Sequence, residues 1–195
     1  MLDAAASVFL DRGYGAATIR AIAAQAKVSV PTVEAAFGTK ARLLKAAIDV
    51  AIAGDDEPVP VLDRAWAADA REAASVEVFL SVVAGVVAAA QARSAGLVLA
   101  VFEGLAKDRE LEQVAGQMVA QRAVTASWIV DGVSEAASLR EGCSNEEAID
   151  TVWVLMDPAV FERLTRRRGW TLEHYERWFA RSVARLLTAD APARR

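Results

Sequence analysis

One cysteine, one histidine and five prolines in 195 residues exclude several chemistries before any pattern is read. Cys143 alone makes no internal disulfide. Together with His174 it cannot furnish the usual His and Cys ligands of a zinc site. No secretory or twin-arginine leader opens the chain, so the expected home is the cytoplasm. The most lipid-like stretch, Val78 to Ala90, holds 13 residues before Gln91 and Arg93, whereas a span needs roughly 20. It reads as a buried helix, and no membrane is expected.

What the chain has in quantity is alanine, 43 residues, within a composition that is 54% apolar and 25% charged. Such a chain folds, and it favours helix, because alanine loses no side-chain entropy there and few prolines interrupt. The expected fold class is all-α. Net charge is −4 overall, but residues 1–50 carry six cations against four carboxylates, leaving the remainder acidic. A mildly basic head on an acidic body suits a head that meets a polyanion.

Apolar Leu2, Ala5, Ala6 and Phe9 recur at helical spacing, and Gly13 marks a helix end. Thr18 is placed to cap a second helix whose inward face is Ile19, Ile22, Ala23 and Ala26. Lys27-Val28-Ser29 forms a short connection, and Ser29 caps a third helix that starts at Val30 with Pro31 in its first turn. Val33 and Phe37 face the same core. Gly38-Thr39 then separates it from a fourth helix carrying Leu43, Leu44, Ala47, Ile48 and Ala51. Two short helices joined by a tight turn, with a leading helix across them, is the layout of a helix-turn-helix head, although an ordinary three-helix bundle shares it.

The run Thr18-Ile19-Arg20-Ala21-Ile22-Ala23, the turn Val28-Ser29, and Pro31-Thr32-Val33 through Phe37-Gly38-Thr39-Lys40 to Leu43-Leu44 resemble the N-terminal signature of TetR-family transcriptional repressors. The resemblance covers about the first quarter of the chain. It implies a DNA-binding domain over residues 1–48 and a helical ligand-binding and dimerisation domain over 49–195. It further implies a homodimer whose two heads enter successive major grooves of a double-stranded, near-palindromic operator. Phosphate contacts and caps fall to Thr18, Arg20, Lys27, Ser29 and Lys40. Base readout falls to Val30, Pro31, Thr32, Glu34 and Ala35. The chain departs from the family where Glu34 and Ala36 replace a tyrosine and a larger aromatic or histidine. Val28 to Phe37 contains no Lys or Arg, so DNA binding is expected to be modest and steeply salt-dependent.

Beyond Gly54-Asp55-Asp56-Glu57-Pro58, helices are expected near Val61 to Ala68, Ser75 to Ala92, Ala95 to Ala106 and Glu110 to Ala137. Ser144-Asn145-Glu146-Glu147 has the form of a capping box. Asp157-Pro158 should break the helix that follows, and a last helix covers Thr171 to Thr188. Phe79, Val83, Phe102, Met118, Gln121, Trp128, Trp153 and Met156 are the candidate lining of a site for a small, apolar effector. Side chains of these types at helical spacing more often simply fill the core. Val160, Phe161, Leu164, Tyr175, Phe179, Val183 and Leu186 are candidates for the dimer surface, since their apolar stripe is rich for a terminus. No cofactor is implied, and no constellation supports catalysis. The leading expectation is a ligand-responsive repressor; the alternative is a helical ligand- or partner-binding dimer with weak or lost DNA binding.

Overall fold

A computed structural model describes residues 1–189 as an all-α chain. Among the described residues there is no strand, only an isolated antiparallel bridge between Leu139 and Thr188. The helices are α1 Leu2–Ala16, α2 Ile19–Gln25, α3 Val30–Phe37, α4 Lys40–Ala53, α5 Ala65–Arg71, α6 Val76–Gly104, α7 Glu110–Ala136, α8 Asn145–Leu155, α9 Pro158–Glu162 and α10 Leu172–Leu187. A single 3-10 turn, Val61–Asp63, precedes α5, and a π turn, Arg163–Arg167, follows α9.

Two compact units divide the chain: residues 1–57 with 93–119, and 58–92 with the chain from Ala120 onward. The head expected over residues 1–48 therefore shares its unit with the C-terminal part of α6 and the N-terminal part of α7. In that first unit Phe9, Ile22, Val33, Leu43, Leu44 and Ile48 are buried in one cluster with Leu97, Val101 and Leu111. Burying each large side chain contributes about 1.5–3 kcal/mol.

Local signals explain where these helices stop. Gly13, at φ 67 and ψ 167, breaks α1, a backbone setting that only glycine enters without strain. The break turns Tyr14 inward, where it is 2% exposed and stacks on Phe9. Thr39 caps α4 by accepting from the Arg42 amide, and Gly54 ends it in the left-handed conformation. Arg93 of α6 completes that C-terminus, donating from Nε to the Ala51 carbonyl at 2.7 Å and from Nη2 to that of Ile52 at 3.0 Å. Orphan carbonyls at a helix end are satisfied this way by a cation.

In the second unit the core gathers Phe79, Leu80 and Val83 of α6, Ile129, Val130 and Val133 of α7, Val152 of α8, Phe161 of α9, and Tyr175, Phe179, Val183 and Leu187 of α10. The two helices expected at Ser75 to Ala92 and Ala95 to Ala106 are one 29-residue helix. Arg93-Ser94 holds neither a proline nor a glycine, so nothing interrupts the backbone ladder. By length and composition α6 could cross a membrane, but its Phe79, Leu80, Val83, Ala84 and Val87 are buried inside the protein.

Candidate nucleic-acid interface

The head is built on two capped helices. Thr18 Oγ1 accepts from the Ala21 amide at 3.1 Å, and Ser29 Oγ accepts from the Thr32 amide at 3.2 Å. Each cap satisfies an amide that the helix leaves unpaired. Between the helices, the Val28 amide returns to the Ala23 carbonyl at 3.0 Å, and Lys27 takes a positive φ of 56. A lysine in that region is uncommon. Its side chain is left exposed beside the turn.

On α3, Val33 points inward at 1% exposure while Pro31, Thr32, Glu34, Ala35 and Ala36 are exposed. Val30 is the exception in the expected reading face. It is partly buried against the head's core, because the first turn of α3 lies over that cluster. Thr32 Oγ1 is already 2.7 Å from Ser29 Oγ, and Glu34 is the sole ionisable group on α3. Thr18 and Arg20 are exposed at the start of α2.

Lys40 does not behave as a free phosphate ligand. Its Nζ donates to the Tyr14 carbonyl at 2.9 Å and the Ala17 carbonyl at 3.1 Å, and sits 4.0 Å from the Tyr14 ring centroid. Burial draws its pKa below the ordinary lysine value. Lys40 ties α4 to the broken end of α1.

The candidate effector residues fall in different places. Phe102 and Met118 belong to the first unit, where Phe102 is 40% exposed and Met118 packs in the head cluster. Gln121 is exposed, so neither it nor Phe102 lines an enclosed site. In the second unit Phe79 lies 5.7 Å from Trp128, which also meets Trp66 edge-on at 5.4 Å and carries the Arg71 guanidinium on its face. Val83 and Met156 are buried, and Trp153 lies under the Arg122 guanidinium at 3.7 Å.

The expected dimer stripe needs the same correction. Phe161, Tyr175, Phe179 and Val183 are buried within their own chain, the last three completely. Strong amphipathicity on α10 serves the internal core here, so those four side chains are not free to meet a partner. Val160 and Leu164 are partly buried and Leu186 is 40% exposed. Leu186 and Val154 line an open groove of about 580 Å³ together with Glu146, Glu147 and Asp150.

Residues 1–47 match the sequence profile of bacterial regulatory proteins of the tetR family. The head is thus similar to the N-terminal part of tetR-family regulatory proteins. No curated protein matches the chain, but the fold recurs in solved structures. The transcriptional regulator FadR from Bacillus subtilis, in complex with stearoyl-CoA, superposes with a TM-score of 0.72 at 18% identity, covering 95% of this chain and 96% of that one. A TetR-family regulator from Rhodococcus sp. gives 0.71 at 12% identity, with 96% of each chain covered. A transcriptional regulator from Saccharomonospora viridis, in complex with choline, gives 0.67 at 16% identity over 96% of this chain and 95% of that one. At these identities the likeness is one of fold.

The head also depends on residues that the sequence pattern did not single out for it. Tyr14 and Arg93 each make a polar contact far along the chain, whereas Asp108, the expected cap of α7, accepts from the Glu110 amide.

Proposed function

We propose that this protein is a one-component transcriptional repressor that binds a near-palindromic operator as a homodimer and is released by a small, predominantly apolar effector. One observation carries the reading: α3 is capped by Ser29, anchored by Val33 and exposed along Pro31, Thr32, Glu34 and Ala35, within a head that matches the tetR profile. An exposed helix of this kind presents its N-terminal residues to a major groove. Residues 1–48 are assigned to DNA binding and 49–195 to effector binding and dimerisation. The protein acts where DNA is, in the cytoplasm, and catalyses no reaction.

Two similar folds hold small molecules, stearoyl-CoA in one and choline in another, which supports an effector in the helical body. Effector binding releases DNA if it favours a state whose two heads no longer match a spacing of about 34 Å. Helices α6 and α7 each contribute to both units, so continuous backbone is available to carry such a change. Exposed Val154, Leu172 and Leu186 on α8 and α10 favour dimerisation along those helices.

A second reading, a ligand- or partner-binding dimer with little DNA affinity, is favoured by Glu34 and the absence of any cation on α3. Fluorescence anisotropy with DNA from the gene's own upstream region, at two salt concentrations, separates the two. The repressor reading expects saturable, sequence-preferring binding that weakens steeply with salt. Equal binding to random DNA would count against the repressor and favour the second reading. Glu34→Gln should tighten operator binding by removing a carboxylate that phosphate repels.

A further inference from the structure

Two buried side chains, Tyr175 and Gln91, and the part-buried Arg122, from three helices, converge on three successive residues where α8 meets α9. The Tyr175 hydroxyl of α10 donates to the Leu155 carbonyl at 3.3 Å. Gln91 Nε2 of α6 donates to the Met156 carbonyl. Arg122 Nη1 of α7 pairs with Asp157 Oδ2 at 2.8 Å. Two polar atoms at this corner have no protein partner although both are buried: Gln91 Oε1 and Arg122 Nε. Gln91 as a whole is only 8% exposed.

The orientation of Gln91 is fixed, because a carbonyl can only accept and Nε2 must therefore face Met156. The two atoms left with no protein partner at all are one acceptor, Gln91 Oε1, and one donor, the Arg122 Nε–H. A buried polar atom left unpaired is costly, and each such atom calls for a partner. Asp157 already balances the Arg122 charge. A carboxylate is thus a poor occupant: it would bring an uncompensated charge and turn lone pairs toward Gln91 Oε1. A hydroxyl donates to Gln91 and accepts from Arg122, and an amide does the same with its N–H and C=O. Buried Val87, Ala88 and Ala126 supply apolar neighbours on the same two helices.

We infer that Gln91 and Arg122 form the polar end of a binding site for an uncharged hydroxyl or amide group carried on an apolar molecule. The inference rests on reading the second unit as the effector-binding part, and it names the chemical class of that effector.

The test uses the full chain without DNA and three probes of one length: 1-octanol, octanamide and octanoate. Tryptophan emission, with Trp153 under Arg122 as reporter, and thermal shift both follow binding. Octanol and octanamide should bind saturably and at least tenfold more tightly than octanoate. Gln91→Leu should weaken octanol binding at least tenfold. Arg122→Lys keeps a charge for Asp157 but lacks Nε, so it should give the same loss if the Leu variant fails to fold. The site is overturned if no probe binds, if octanoate binds as well as octanol, or if both variants bind octanol like the unaltered protein. Octanol binding that leaves DNA affinity unchanged supports the site while counting against the repressor reading, so the two fail separately.

Discussion

The Tyr14 hydroxyl donates to Asp108 Oδ2, 94 residues away in sequence. Asp108 Oδ1 accepts from the Glu110 amide at 3.0 Å, so one carboxylate both caps the start of α7 and holds the broken end of α1. Lys40 lies over the Tyr14 ring, and Arg42 of α4 pairs with Glu110 at 3.2 Å. The head of the first unit is thereby tied to the α6–α7 turn by polar contacts as well as by its apolar cluster. Tyr14→Phe keeps the ring packing and removes only the hydroxyl. A hydrogen bond to a charged acceptor contributes about 1.5–3 kcal/mol, so the variant should melt several degrees lower by circular dichroism. An unchanged melting temperature would mean that this contact adds nothing to stability.

Both tyrosines of the chain are held in the neutral form. Burial raises the pKa of Tyr14 above its ordinary 10.0, helped by the hydrogen bond to Asp108 and the charges of Asp108 and Glu110. Burial does the same to Tyr175, with the Asp157 charge adding to it. The folded pKa lies above the unfolded one, so the unfolded chain loses its protons first as pH rises. Stabilisation is complete below about pH 10 and falls progressively above it. Tyrosinate absorbance should therefore appear together with loss of helix in an alkaline titration. Ionisation of either tyrosine near pH 10 with helicity intact would contradict this.

Arg20 and Lys40 should respond differently to salt. Arg20 is exposed at the start of α2, and Arg20→Ala should reduce the slope of log affinity against log salt by about 0.9, the loss of one phosphate contact. Lys40 spends its donors on the Tyr14 and Ala17 carbonyls. Lys40→Met should lower the melting temperature and leave the slope unaltered. A slope change matching that of Arg20→Ala would return Lys40 to the DNA surface.

These contrasts mark how far the sequence was legible. Thr18, Ser29, Thr39, Ser144 and Asp157 announce their helices because a short polar side chain before an apolar periodic run has one local use, and each is seen capping. The stripe on α10 was equally legible, but periodicity reports that a face is buried and not against what. Tyr175, Phe179 and Val183 proved to face their own chain. Lys40, Arg93 and Asp108 find partners across long sequence separations, and nothing in local spacing encodes those. Likewise Gln91 looked like one polar residue within an apolar helix until its Met156 contact was visible.

Two glycines on the long helices predict opposite outcomes. A Cβ at Gly132 would overlap the Phe79 ring, and that ring is 2% exposed and packed on Trp128, so it has nowhere to move. Gly132→Ala should cost about 1–3 kcal/mol as overpacking. A Cβ at Gly85 would meet nothing within 4 Å, and Gly85→Ala should stabilise α6 by about 0.5–1 kcal/mol. Urea unfolding of both variants tests the pair. Destabilisation by Gly85→Ala, or tolerance of Gly132→Ala, would show that the packing around α6 differs from that described.

Asp157 carries two structural duties with its two oxygens. Oδ1 accepts from the Ala159 amide at 2.8 Å and caps α9, while Oδ2 pairs with Arg122, whose side chain is 14% exposed. Asp157→Ala removes the cap, worth about 1 kcal/mol, and leaves a largely buried guanidinium without its counter-charge, a loss of about 3 kcal/mol. Asp157→Asn keeps a capping oxygen and should fall between the two proteins. The decisive comparison is the double variant. Arg122→Met removes the stranded charge and keeps an apolar side chain over Trp153, so adding it to Asp157→Ala should restore part of the lost stability. If the two substitutions instead lower stability additively in denaturant unfolding, Arg122 and Asp157 are not coupled, and the α8–α9 corner is held by Gln91 and Tyr175 alone.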